Sequence, residues 1–159
     1  MESELERIKK EFSEKQKQYN LPDFQTLNEI FEIEKVTEHE TDTLLREVRK
    51  HIVDKALSYL RFLEMLLNPS NAPLFVFGMT RNLEAADKQL IEGVYKELCE
   101  IELDAIGLDN QYSEKKEAEF ITNKTKQWKE SSKDIEKILL SLRKSWKSSS
   151  IKKEKGYFG

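Results

Sequence analysis

Two histidines and a single cysteine set a narrow limit on the chemistry open to this chain. His51 follows Glu47 by four residues, a step that puts both side chains on one face of a helix. A carboxylate-bridged di-iron bundle asks for two Glu-x-x-His pairs and two further glutamates. The residue three before His51 is Val48, and three before His39 stands Val36, so that site is not encoded. A Glu–His pair standing alone is commonly a solvated surface contact. Cys99 has no cation or helix N-terminus beside it in sequence to favour a thiolate, and reads as a small residue at the edge of an apolar stripe.

Carboxylates offer no clearer site. Glu97, Glu100 and Asp104 form a ridge on one expected helix, and Glu114, Glu117 and Glu119 open the next. Acid–base pairs emerge from such ridges only on folding, and ordinary outer faces look the same. With 30 acidic residues such clusters arise by chance. The five glycines never take a phosphate-loop spacing. Nothing selects a Ser/His/Asp or Cys/His triad. Asn123-Lys-Thr125 matches the glycosylation pattern, but without an export signal it reads as accidental. The expectation is a non-enzymatic protein with no catalytic residue, no metal and no cofactor.

What must be positioned is therefore a fold rather than a reaction centre. The 159 residues suit one domain with its own core. Hydrophobic residues make up 38% and charged residues 36%, with few glycines and only three prolines, a balance that favours long helices with charged outer faces. The lone cysteine excludes an internal disulfide and fits a reducing compartment. The acidic N-terminus carries no visible signal peptide, and the apolar runs fall far short of the ~20 residues a membrane span needs. A cytoplasmic protein with no membrane partner is expected.

Ser3 and Glu6 form a capping box, followed by a narrow stripe of Leu5, Ile8, Phe12 and Tyr19 that ends at Asn20-Leu21-Pro22. Asp23 can cap a short helix with Phe24, Leu27, Ile30 and Phe31 inside. Thr37 and Glu40 offer a second capping box, and the widest apolar face follows over 38–67, marking a central helix. Residues 69–82 lack a helical period and read as a connection. Asn82 then caps a helix from Leu83 to about Leu108, with Ala86, Leu90, Ile91, Val94, Tyr95, Leu98, Ile101, Ala105 and Ile106 inward. Gly107 and Asp109-Asn110 supply the turn. From Ser113 onward, Ala118, Ile121, Thr125, Trp128, Ser132, Ile135, Leu139, Leu142 and Trp146 keep a coiled-coil-like heptad register. That predicts one long helix over 113–147, with a break at Ser131-Ser132 as the alternative.

Three features point to interaction. The connection holds Leu74-Phe-Val-Phe-Gly-Met79, apolar where loops are usually polar; it either tucks into the core or docks a partner. Leu142 and Trp146 lie at the far end of the last helix, which is longer than a compact bundle needs. Finally, charge is segregated. From Arg143 the basic residues Arg143, Lys144, Lys147, Lys152, Lys153 and Lys155 face only Glu154, on a chain whose net charge is −3. Tyr157 and Phe158 add stacking surfaces to this tail.

Leu21-Pro-Asp-Phe24, Leu44-Leu-Arg-Glu-Val-Arg49, Glu117-Ala-Glu-Phe-Ile121 and Trp146 followed by Gly156-Tyr-Phe-Gly159 resemble an archaeal family of small charged helical proteins. The resemblance implies an all-helical fold and an archaeal origin, and brings no catalytic or binding residue with it.

The sequence thus predicts an all-α antiparallel bundle of four to six helices over 1–147, with a basic tail over 148–159. The leading expectation is an interaction or scaffold protein that binds another protein, or itself, through Leu74, Phe75, Phe77, Leu142 and Trp146. The runner-up is an RNA- or ribonucleoprotein-associated factor using Arg143, Lys144, Lys147, Lys152, Lys153, Lys155, Tyr157 and Phe158. A small bundle enzyme comes third.

Overall fold

Capping chemistry starts the first two helices where the sequence places it. In the computed structural model, which describes residues 1–38 and 42–149, Ser3 Oγ accepts from the Glu6 amide while the Glu6 carboxylate accepts from the Ser3 amide, opening α1 (Glu4–Tyr19). Asn20, left-handed at φ 53°, closes it. Asp23 caps α2 (Phe24–Phe31) through the Thr26 amide. Glu32 ends α2 at φ 55°, an unusual conformation for a residue with a Cβ. The chain continues through a 3-10 turn (Ile33–Glu38), α3 (Leu44–Leu67), a short 3-10 turn (Pro69–Asn71), α4 (Leu74–Thr80), α5 (Ala85–Asn110) and α6 (Glu114–Lys147). The fold is an all-α bundle, and among the described residues no helix is long and apolar enough to cross a membrane.

Several boundaries differ from the sequence reading, each for a local reason. The central helix begins at Leu44 rather than 38, because residues 33–38 form a 3-10 turn; the expected Thr37–Glu40 box extends outside the described residues. The connection after Pro69 is not irregular: Leu74–Thr80 is helical. Asn82 does not cap α5. Its amide and side chain bond Ser145 on α6, and the Glu84 amide donates to Asp87 Oδ2 one turn inside α5. Gly107 makes no turn, since α5 runs on to Asn110. Ala86 and Ile106, expected inward on α5, are exposed. The last helix is one unbroken rod of 34 residues.

The chain condenses into two compact units, each built from separated segments. The first takes Met1–Leu57 and Glu100–Lys129. Its apolar interior holds Phe12, Leu27, Phe31, Leu45, Ile52, Ile101, Ile121 and Trp128, with Phe31 edge-on to Trp128 at 6.2 Å between ring centres. Through this interior runs a buried ion cluster. Arg49 Nε donates to Glu117 Oε2 at 2.7 Å, its Nη2 reaches Glu117 Oε1 at 3.3 Å, and Nη2 also donates to Asp109. Arg46 adds a 3.3 Å bond to Glu117 and one to the Leu108 carbonyl, with its guanidinium over the Tyr112 ring. Glu117, expected on an outer face, has a fully buried side chain. Burial works against the Arg49 charge, but its bonds to Glu117 and Asp109 outweigh that and raise its pKa above the ordinary arginine value.

The second unit takes Ser58–Cys99 and Glu130–Gly159. Its core is Leu63, Leu66, Val76, Ile91, Val94, Leu98, Ile135, Ile138 and Leu142. Here α6 departs from the heptad reading. Ile121, Trp128, Ile135 and Leu142 are buried along its whole length, but their companions change. Ala118 and Thr125 accompany them early; Ser131, Ile138 and Ser145 do so later, in place of Ser132, Leu139 and Trp146. The buried positions run Thr125, Trp128, Ser131, Ile135, two three-residue steps in succession where the heptad alternates three and four, so the inner face falls one residue earlier from Ser131 onward. The buried serines are satisfied: Ser131 donates to Glu97 and Ser145 accepts from the Asn82 amide.

Candidate functional site

The same slip of register turns Leu139 and Trp146 out of the second unit's core, and they become walls of a cleft. It is open, about 270 Å³ in volume, and lined by Phe62 from α3, Phe75 and Met79 from α4, and Leu139, Leu142, Arg143 and Trp146 from α6. Leu142 is its floor at 2% exposure; Trp146 at 46%, Phe75 at 49% and Leu139 at 40% stand open. Helical spacing explains both walls. Phe75 and Met79 are one turn apart on α4, while Leu139, Leu142, Arg143 and Trp146 fall at i, i+3, i+4 and i+7 on α6.

Short α4 is held in place from beneath and from its end. Val76 and Gly78 are buried under it, and Thr80 Oγ1 donates back to the Val76 carbonyl. Just beyond, Asn82 bonds Ser145, and Ser141 donates to Asp87 Oδ1 at 2.7 Å, tying the segment after α4 and the start of α5 to α6. A smaller polar hollow of about 180 Å³ lies here, lined by Asn82, Glu84, Asp87, Ser141, Lys144, Ser145 and Ser148. Asn82, Asp87, Ser141 and Ser145 are already bonded to one another across it.

Of the five partner-binding candidates, Phe75, Leu142 and Trp146 meet in the cleft. Leu74 and Phe77 are exposed on α4 but do not line it, and Leu142 presents only its floor. Sequence reasoning missed Phe62, Met79 and Leu139. The usable signal was Phe75 and Met79 four apart after Pro73, which marks a helix where a loop was expected. Of the nucleic-acid candidates, Arg143, Lys144 and Lys147 are exposed on the last turns of α6, while Lys152, Lys153, Lys155, Tyr157 and Phe158 lie outside the described residues.

The chemical candidates are dispersed. Glu47 pairs with Lys50 at 3.0 Å rather than with His51. Cys99 is half-buried and free, and its hydrogen bond with Tyr95 raises the pKa of that phenol. Glu97 accepts from Ser131, and Asp104 pairs with Lys124 at 2.6 Å. Among the described residues no group of three or more His, Cys, Asp or Glu is arranged to hold a metal ion. Compared with known proteins, the chain matches no protein-family model, no curated protein and no solved structure.

Proposed function

We propose that the chain is a non-enzymatic interaction protein that takes an apolar segment of another protein into the cleft between α4 and α6. The observation that carries this reading is the cleft itself: two aromatic side chains and a leucine stand open around a buried apolar floor. Exposed apolar residues gathered in one concave place mark binding surfaces far more often than the same residues scattered singly. Aromatic anchors at the centre of such a patch supply most of the affinity when a partner covers them.

The test is recovery of bound proteins from the cell of origin by tagged wild type and by Phe75→Ser and Trp146→Ser, with nuclease present. Loss of the same bound protein in both variants, with helicity at 222 nm unchanged, is the expected result. Retention of every bound protein by both folded variants would reject the reading.

A second reading is favoured by Arg143, Lys144 and Lys147, exposed together at the end of α6. It makes the chain an RNA- or ribonucleoprotein-associated factor whose affinity falls steeply with salt and is removed by replacing Arg143, Lys144 and Lys147 together by alanine. RNA binding that survives this substitution would reject it.

A further inference from the structure

The geometry points to an acidic amphipathic helix, presented by a different protein, as the occupant of this cleft; the inference rests on the docking reading above. The argument begins with the walls. Both are helices, so most of their backbone groups are already bonded and no row of donors and acceptors is presented to a guest, as a sheet edge would present. A guest lying in an extended conformation would press unpaired amides against Phe75, Met79 and Trp146 at a large desolvation cost. A helix satisfies its own backbone and brings only side chains to the wall. The α6 wall spans positions 139 to 146, a length of about 10 Å at the helical rise, which two turns of a guest helix cover.

Charge selects the guest's flank. No carboxylate lines the cleft, whereas Arg143 does. Earlier on α6, Lys133 pairs with Glu130 and Lys137 with Asp134. Beyond Glu136 the helix carries no acid, and among the described residues none pairs with the side chain of Arg143, Lys144 or Lys147. Lys144 and Lys147 sit in the last turn, where they also complement the helix dipole. Arg143 stands one turn earlier within the apolar lining, and Lys147 is its i+4 neighbour. An apolar groove with a cationic rim fits a helix that carries apolar anchors with Glu or Asp beside them.

The same charges disfavour a second copy. A two-fold contact lays each patch on its twin and gathers the Arg143 and Lys147 cations of both copies into one interface, with no carboxylate lining the cleft to offset them.

The probes are two fluorescein-labelled helical peptides of about 14 residues, each with leucines at i, i+4 and i+7. One carries glutamates beside the leucines, and its twin carries lysines there. Titrated by anisotropy against the full chain, the acidic peptide binds about tenfold or more tighter than the twin. Replacing Arg143 and Lys147 together by alanine abolishes that preference, and Phe75→Ser weakens the acidic peptide about tenfold. Equal binding of the twins, lost in Phe75→Ser, overturns the acidic partner while leaving the docking reading intact. Absence of binding to the folded chain also overturns it, and the docking reading is then judged by the recovery experiment alone. A concentration-dependent dimer abolished by Trp146→Ser overturns it in favour of a second copy. So does binding of a single-stranded RNA probe that needs Arg143 but not Phe75, in favour of nucleic acid.

Discussion

Replacing Glu117 by glutamine keeps the shape of a fully buried side chain and removes its charge, which makes it a clean probe of the ion cluster. In the folded chain Arg49 is 1% exposed and gives Glu117 two of its three carboxylate bonds, Arg46 giving the third. After the substitution its nearest counter-charge is Asp109, whose side chain is 59% exposed and holds it from one side only. Breaking a buried pair by neutralising one member typically costs about 3–5 kcal/mol. The amide oxygen of glutamine still accepts from Arg49, so a loss of about 3 kcal/mol is expected. In a chain of this length that lowers the melting midpoint by about 10 °C. Urea unfolding followed at 222 nm measures it. The informative partner is Arg49→Met combined with Glu117→Leu, which removes both buried charges. Arg46 and Asp109, left behind, both reach water. The double variant is expected within about 1–2 kcal/mol of wild type. A single variant within about 1 kcal/mol of wild type, or a double variant less stable than the single one, refutes the reasoning.

Three further outcomes follow from the same geometry. Ile138→Ala, at a site 2% exposed, is expected to cost about 2–4 kcal/mol in urea unfolding, while Leu139→Ala next to it costs under about 1; the reverse order would restore the strict heptad register. Glu32→Gly relieves a left-handed residue with a Cβ and gives up only an exposed ion pair with Lys35, so a gain of about 0.5–1 kcal/mol is expected, and a loss would show that this turn is not strained. The Lys15 bond holds the Glu114 carboxyl below its ordinary pKa, against a smaller effect of burial, and Tyr19 also donates to it. A depressed carboxylate stabilises above its unfolded pKa and loses that contribution as pH falls through the folded one. The stability gap between wild type and Glu114→Gln should therefore be flat near neutrality and close below about pH 4; a gap that widens in acid contradicts the assignment.

Much of the fold was legible because short-range chemistry decides it. The Ser3–Glu6 box, the Asp23 cap and the end of α1 at Asn20 depend on residues within one turn, and each forms as read. Period alone also gave the length of α6, although it misplaced the inner face beyond Trp128 by one residue. A strict seven-residue count hides a local slip of register that only packing partners reveal. Glu117 was illegible for a related reason: a carboxylate on a helix looks solvated until a guanidinium 68 residues away in sequence is brought against it. The cleft was half visible. Phe75 and Trp146 stood out as aromatics, but Phe62 and Met79 join them only once residues 74–80 are helical.

The pairing of Arg49 with Glu117 also orders events while the chain is being made. Arg49 leaves the ribosome among Leu45, Val48, Ile52 and Val53, well before its carboxylate partner has been translated. At ordinary elongation speeds that interval lasts several seconds. Throughout it, closing the apolar face of α3 over Arg49 would bury an uncompensated cation, at a cost of about 3–5 kcal/mol. That cost is lifted once Glu100–Lys129, which carries both carboxylates, joins Met1–Leu57 to complete the first unit.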